Sequence, residues 1–224
     1  MSTKVKCVRF IIMAVIVFAC HTVFANYASA AAPAETIKAV SDFYFKQAKD
    51  FTLDFKVDSK IKDIAFEGKF RFRAPFCFAI DAKSTALEVK ISFKNGDGFI
   101  YLPTANIITN LDAITRAKTK GIEIPATVEQ LNARLGRLTS EFDLESSEEG
   151  ANIILSGKSK NARGSFKAAI DKASHEIKSL TTFNKNGAQE LSIELKNFKM
   201  EPVSEKLFEK PQGAIETNLP IPVF

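Results

Sequence analysis

Histidine and cysteine, two residue types that often perform chemistry, are few in this 224-residue chain, which has two histidines and three cysteines. Their spacing fits no common catalytic site. His175 lies in the stretch KASHEIK, without the second histidine or the cysteines that a zinc site needs. The chain contains no GxSxG, HExxH or CxxC motif and no glycine-rich phosphate-binding motif. Two carboxylate pairs, Glu141 with Asp143 and Glu148 with Glu149, lie in charge runs that are typical of a wet surface. We therefore expect a protein that is not an enzyme and that uses no metal or cofactor.

Residues 1–30 have the features of a cleaved secretory signal. Three basic residues precede the apolar run Phe10–Cys20, whose 11 residues are too few to span a bilayer comfortably. The small residues Ala28 and Ala30 form a cleavage pattern, which places the cut after Ala30, with a cut after Ala25 as the alternative. A lipoprotein signal, in which Cys20 is acylated, is the competing interpretation. We expect a soluble protein of the periplasm.

The mature chain, residues 31–224, is predicted to be one domain of nearly neutral charge. The signal contains three of the 31 Lys and Arg residues and none of the 26 acidic residues, so the net charge falls from +5 to +2. A charge this small gives little support to nucleic-acid binding. Cys77 is then the one cysteine left, so we expect no internal disulfide and a stability that depends on the core. Because Cys77 lies on the outward phase of its strand, we interpret it as a packing residue.

Strand patterns of period two dominate the mature chain, with two helices among them. The first helix, Ala34–Ala48, has apolar residues along one side, and the second, Thr127–Leu138, begins with the capping-box spacing TVEQ. The tail from Pro202 is expected to be mostly irregular. Strands are predicted for Phe51–Val57, Ile64–Phe72, Phe76–Ile80, Leu87–Phe93, Phe99–Leu102, Asn106–Leu111, Phe142–Ser146, Asn152–Ser156, Ser165–Ile170, Glu176–Phe183 and Glu190–Phe198.

This pattern predicts an α+β fold. About ten or eleven antiparallel strands in hairpin order indicate a large curved sheet or barrel. Two or three helices are too few to cover both faces of such a sheet. We therefore expect an incomplete antiparallel β-barrel wrapped around the helices, which form a lid over an apolar cavity. The lid residues are Ile37, Val40, Tyr44, Leu131 and Leu135.

The stretch Gly68–Ile80, GKFRFRAPFCFAI, indicates what the sheet encloses. It places phenylalanine at alternate positions, in a chain with 20 phenylalanines and no tryptophan. A solid hydrophobic core is the simplest interpretation. A concave sheet, however, cannot pack its inner face on itself, and space that the helices leave would bind apolar ligands. The residues predicted to line this cavity are Phe70, Phe72, Phe78, Ile80, Val89, Ile91, Phe93 and Tyr101.

Gly68–Ile80 also resembles the early signature of the LolA-type periplasmic lipoprotein carriers, in which a glycine and alternating apolar residues precede a basic residue, a proline and an aromatic pair. The turn Asn95-Gly96, followed by FIYLP, is similar to the family's next hairpin. Ile170–Ser174 resembles the turn before its late strands, and Ile193–Phe198 with the prolines after it resembles its C-terminal pattern. The resemblance covers about residues 34–217.

The resemblance implies a monomeric carrier that shields the acyl chains of lipoproteins in a hydrophobic cavity. Such carriers accept lipoproteins from an inner-membrane release complex and hand them to an outer-membrane acceptor. Phe78 matches the family's functional aromatic residue. The arginine that keeps the family's lid closed, directly before the proline, is Ala74 in this chain. Arg73 precedes it and is expected on the other face of the strand.

Two alternatives stay open beside the lipoprotein carrier, and Ala74 slightly favours the first of them. One is a carrier of the same fold for another envelope lipid or glycolipid. The other is an RseB-like sensor of mislocalised lipoproteins or envelope stress. Apolar walls carry little information about a head group, so the sequence does not identify the cargo.

Overall fold

The structure, a computed structural model, describes residues 33–61, 63–95, 97–111 and 140–217. Twelve strands within these residues form one continuous sheet. The strands of the first half are β1 (Asp50–Ser59), β2 (Ile64–Arg73), β3 (Cys77–Lys83), β4 (Glu88–Lys94), β5 (Asp97–Leu102) and β6 (Ile107–Asn110). Those of the second half are β7 (Phe142–Glu149), β8 (Asn152–Ser159), β9 (Ser165–Asp171), β10 (Ile177–Phe183), β11 (Gln189–Lys199) and β12 (Ile215–Thr217).

The sheet is open, and its strand order joins the two halves of the chain. The order is β12-β6-β5-β4-β3-β2-β1-β11-β10-β9-β8-β7. Strands β1 to β6 pair antiparallel in chain order, as do β7 to β11, and β1 pairs antiparallel with β11 to connect the two sets. β12 pairs parallel with β6 at one end of the sheet, and β7 forms the other end.

A helical segment precedes the first strand. Helix α1 (Pro33–Ser41) begins with a proline, whose fixed φ suits a first helical position, and it continues as a π-helical turn over Asp42–Gln47. The carboxylate of Asp42 forms ion pairs with Lys38 and Lys46, four residues before and after it. Pairs at this spacing face each other on a helix and stabilise it modestly.

The contacts of this helical segment show that the sheet is strongly curved. Helix α1 contacts β7 and β8, and the ring centroid of Phe45 lies 6.1 Å from that of Phe72 on β2. In the sheet order β2 and β8 are separated by four strands, so in a flat sheet they would lie about 24 Å apart. The segment covers the face between them, and buried side chains from both halves of the sheet join Ile37, Val40 and Tyr44 in one cluster, so the sheet bends around the segment. The side that faces α1 is therefore the concave side.

The sequence predicted much of this arrangement. Each of the eleven predicted strands overlaps one of β1 to β11, and the predicted helix at Ala34–Ala48 is present, with its last residues in the π-helical turn. The short strand β12 was not predicted, and its parallel pairing is an exception to the expected antiparallel order. The second predicted lid helix, Thr127–Leu138, lies outside the described residues. The structure therefore confirms the coarse part of the prediction, which is an open and mostly antiparallel sheet with a helix on its concave side.

Residues 200–217 cross the convex side of the sheet as a C-terminal strap. The hydroxyl of Thr52 donates a hydrogen bond to Glu201, with 2.8 Å between the two oxygens. The N–H of Val203 donates to the carboxylate of Asp50 over 3.3 Å. The strap then ends in β12, so it ties the middle of the sheet to the edge at β6.

Candidate functional site

The concave face of β1 to β4 is apolar from strand to strand. Residues directly opposite each other in antiparallel neighbours have side chains on the same face. The register aligns one row of Leu53, Phe70, Ile80 and Ile91. It aligns a second row of Phe51, Phe72, Phe78 and Phe93. Every side chain in the two rows is at most 6 % exposed, so this face is fully covered in the structure.

Five phenylalanine rings form an aromatic ladder across this face, with one ring on each of five neighbouring strands. The ladder consists of Phe198 on β11, Phe51 on β1, Phe70 on β2, Phe78 on β3 and Phe93 on β4. Successive ring centroids are 5.2, 5.9, 6.2 and 5.1 Å apart. Such contacts contribute about 0.5–1.5 kcal/mol per pair beyond the burial of their area. The ladder is therefore a continuous aromatic surface and not a set of isolated side chains.

Seven of the eight residues predicted to line the cavity lie on this face. They are Phe70, Phe72, Phe78, Ile80, Val89, Ile91 and Phe93, and each is buried. They belong to one apolar cluster that includes residues of both halves of the chain. Their role in lipid binding stays a prediction.

Tyr101, the eighth predicted residue, lies on the convex face. The register places it opposite Lys90, whereas its neighbour Ile100 pairs with Ile91 and is buried on the concave side. The Tyr101 hydroxyl donates to the side-chain oxygen of Asn106 over 3.2 Å at an exposed position. The prediction was wrong because it followed the aromatic residue type, although strand alternation assigns the inward position to Ile100.

The helical segment covers the end of the ladder formed by Phe198 and Phe51, and it is anchored by Tyr44. The ring of Tyr44 makes edge contacts with the rings of Phe51 and Phe198, with centroids 5.4 and 5.6 Å apart. Its hydroxyl accepts a hydrogen bond from the backbone N–H of Ile177, 3.2 Å away, where the pairing of β10 with β9 shifts register. Burial raises the pKa of the Tyr44 phenol well above its ordinary value, so the group stays neutral.

The other predicted lid residues divide into two groups. Ile37 and Val40 are buried in the same cluster as the ladder, at 2 % and 3 % exposure. Leu131 and Leu135 lie outside the described residues. The described part of the lid is therefore the segment from α1 to the π-helical turn.

Removing the Tyr44 hydroxyl is expected to destabilise the fold. In the Tyr44→Phe variant, the buried N–H of Ile177 loses its acceptor, which costs about 1–3 kcal/mol in the free energy of unfolding. Tyr101→Phe is the matched control, because its hydroxyl bond is exposed and its loss is expected to change the free energy by less than about 0.5 kcal/mol. Urea denaturation measures both values. Equal losses in the two variants would show that the Tyr44 bond does not anchor the helix.

Phe198 and Phe51 are the ladder residues that the sequence analysis did not assign to the site. Phe198 faces inward because β1 and β11 shift register between Thr52 and Asp54, and Asn197 adopts a left-handed φ of 54° at this bulge. The amide of Asn197 donates to the carboxylate of Asp54 over 2.7 Å. The signal in the sequence was the three-residue step from Leu195 to Phe198, which breaks the period of two.

The convex face of the same strands is closed by the strap. Cys77, Ala79, Val203 and Phe208 form a second, smaller buried cluster there. Burial raises the pKa of the Cys77 thiol, which makes it a poor nucleophile. The predicted outward phase of Cys77 is therefore consistent with the structure, although the strap covers it.

Arg73 lies on this convex side too. It pairs in register with Cys77, and its guanidinium lies 3.5 Å from the carboxylate of Glu205, which also accepts an ion pair from Lys94 at 2.7 Å. Ala74 is exposed, and its N–H donates to the carbonyl of Lys49. Arg73, the arginine nearest the proline, thus contacts the strap and lies on the face opposite the helical segment.

The part of the chain that the structure describes lacks two further features. In that part of the chain, no group of three or more His, Cys, Asp or Glu side chains is arranged to hold a metal ion. The same residues include no helix that is long and apolar enough to cross a membrane. His175, the one histidine among them, has a left-handed φ of 60° in the turn before β10, and its N–H donates to the carbonyl of Asp171.

Comparison with known proteins relates the chain to others by structure and not by sequence. No protein-family model and no curated protein sequence matches it. An uncharacterized conserved protein from Thermus thermophilus has a TM-score of 0.58 at 13 % identity, over 82 % of this chain and 96 % of that one. MucB of Pseudomonas aeruginosa, solved in complex with MucA, has a TM-score of 0.52 at 10 % identity. The alignment covers 80 % of this chain and 61 % of the MucB chain, so the chain spans about three fifths of MucB.

The similar structures also include a LolA superfamily protein from Nitrosomonas europaea. Its TM-score is 0.38 at 7 % identity, over 82 % of this chain and 99 % of that one. At the identities of the first two proteins, what the chain shares with them is the fold.

Proposed function

We propose that this chain is a periplasmic carrier, without enzymatic activity, that binds the acyl chains of lipoproteins on the ladder face and moves them from the inner to the outer membrane. The observation that carries the proposal is the aromatic ladder, which extends an apolar surface across five adjacent strands. Four strand spacings amount to about 19 Å, which is comparable to the length of an extended fatty acyl chain. Helix α1 and its π-helical turn provide the cover under which such a chain is shielded from water.

The energetics of acyl burial favour a carrier that holds its cargo partially. Each buried CH₂ group contributes about 0.8 kcal/mol, so complete burial of several long chains would be too stable for transfer. Phenylalanine walls that contact only part of each acyl chain bind it more favourably than water does and less favourably than a membrane does. Since the chain has no nucleotide-binding motif, energy for loading comes from a partner at the inner membrane, and an acceptor at the outer membrane completes the transfer.

Two other functions use the same face. A sensor that recognises lipoproteins and reports through a protein partner is favoured by the fold shared with MucB, whose solved complex contains MucA. A carrier of another envelope lipid or glycolipid is favoured by Ala74, which is exposed and has no guanidinium to hold the helical segment closed. A monomer is expected in all three cases.

Binding of a fluorescent fatty acid by the mature protein tests the proposal. We expect the emission to rise on binding, and a triacylated lipopeptide is expected to displace the probe. A carrier then moves the lipopeptide between donor and acceptor vesicles, whereas a sensor binds it without moving it. Native mass spectrometry of protein purified from the periplasm identifies the cargo. Absence of both probe and lipopeptide binding in folded protein would overturn the proposal.

A further inference from the structure

Three turns lie side by side at one end of the sheet. The pairing of Ser59 with both Ile64 and Leu191 places the β1–β2 turn next to the β10–β11 turn. The pairing of Phe183 with Ser165 then places the β8–β9 turn beside them. Since neighbouring strands are about 4.8 Å apart, successive turns in this row lie about 10 Å from each other.

These three turns are basic and strongly exposed. Their described residues carry four cationic side chains against one acidic residue, Asp63. Ile61, at the tip of the β1–β2 turn, is 53 % exposed and is one of four large hydrophobic residues exposed within the described part of the chain. We define the basic rim as Lys60, Ile61, Lys160, Arg163 and Lys185.

The ion pairs of the rim leave much of its charge available. Lys60 pairs with Asp58 at 2.9 Å, and Lys160 approaches Asp143 at 3.9 Å, but pairs between exposed groups are weak and screened by salt. Among the described residues, no carboxylate forms an ion pair with Arg163 or Lys185. The rim can therefore exchange weak contacts with its own carboxylates for contacts with phosphate groups.

A depression of about 710 Å³ lies between the β8–β9 and β10–β11 turns. Its lining includes the lysines Lys158, Lys167 and Lys185 and the ring of Phe183, together with two carboxylates, Asp143 and Glu145. Lysine side chains beside an aromatic ring suit a group with a charged head and an apolar body. The depression thus extends the rim inward from its exposed tips.

The turns at the opposite end of the sheet are not basic. The described turn residues there, 74–76, 95, 150–151 and 172–176, include one cation and one carboxylate, Lys172 and Glu176, beside His175. The helical segment also enters β1 at that end. The basic turns therefore lie at the end of the sheet opposite the one where the helical segment enters β1.

We propose that the basic rim is a docking surface for an anionic lipid bilayer. Cationic side chains near a negatively charged membrane are attracted to it, and an exposed aliphatic side chain between them inserts among the lipids. Docking at this end directs the junction between the helical segment and β1 away from the bilayer. This proposal goes beyond acyl-chain binding, and its test does not depend on that activity.

Co-sedimentation of the mature protein with vesicles is the test. We expect binding to vesicles of phosphatidylcholine and phosphatidylglycerol at low salt, and little binding to vesicles of phosphatidylcholine alone. Replacing Lys160, Arg163 and Lys185 together by glutamine is expected to lower the partition coefficient roughly a hundredfold, since each cation contributes roughly fivefold. Ile61→Ser is expected to lower it about tenfold.

The matched control removes the same number of charges elsewhere. Lys49, Lys199 and Lys206 are exposed and lie away from the rim, so their triple replacement by glutamine is expected to change vesicle binding much less. Acyl-probe binding without vesicles is expected to be equal in both triple variants and the wild type, which separates failure of the rim from failure of the carrier function. Equal losses in the two triple variants, or equal binding of the wild type to neutral and anionic vesicles, would overturn the proposal.

Discussion

Replacing Phe78 by aspartate is expected to abolish binding of a fluorescent fatty acid. Phe78 is 2 % exposed and lies between Phe70 and Phe93 in the ladder, with ring centroids 6.2 and 5.1 Å away. A carboxylate at this position places an unpaired charge on the apolar surface, at a cost of several kcal/mol for any state that excludes water from it. An acyl chain in contact with the ladder excludes that water. Titration of the probe into the wild type and the variant measures the effect.

Phe78→Leu is the control for this variant. Leucine removes the ring but keeps an apolar side chain, so most of the probe affinity is expected to remain. Circular dichroism establishes whether the aspartate variant is folded. A folded Phe78→Asp protein that binds the probe as tightly as the wild type would contradict the assignment of the ladder as the binding surface. Loss of fold in the variant, together with no binding by the wild type, would mean that the ladder is solid core.

The strands were predictable because the sheet has two unlike faces. Along β1, Phe51, Leu53 and Phe55 are buried on the concave side, and Asp54 and Lys56, which follow Leu53 and Phe55, are on the other. Alternation of this kind is a local property of the chain, so it reveals each strand without knowledge of its partners. β12 has no such alternation and consists of three residues whose pairing with β6 depends on the course of the strap.

The ladder was only partly predictable, because the alternation of apolar and polar residues is a local property and part of the ladder depends on a long-range strand pairing. Phe70, Phe78 and Phe93 lie on consecutive hairpins, where turn positions and alternation together indicate one face. Contact between Phe51 and Phe198 depends on the pairing of β1 with β11, which brings together residues near the two ends of the described chain. The bulge at Asn197 then reverses the phase of β11. No local pattern gives a long-range pairing, although a broken period of two does indicate where a bulge lies.

Placing a charge at Phe208 is expected to release the strap and expose Cys77. Phe208 is 7 % exposed and packs in the convex cluster with Cys77, which is 5 % exposed. Burial of such a ring contributes about 1.5–3 kcal/mol, so Phe208→Asp is expected to raise the population of the open strap by roughly 10- to 100-fold. Cys77 is the single thiol of residues 31–224, and its rate of reaction with a thiol reagent reports that population directly.

The ion pairs of the strap provide the comparison. Glu205 contacts Lys94 and Arg73, but all three side chains are at least 36 % exposed, and pairs of this kind contribute little in water. Glu205→Gln is therefore expected to change the labelling rate of Cys77 less than about fivefold. If Glu205→Gln accelerated labelling as much as Phe208→Asp, charge and not apolar packing would hold the strap on the sheet. The expected order follows from burial, since a ring excluded from water contributes more than a salt bridge that remains in contact with it.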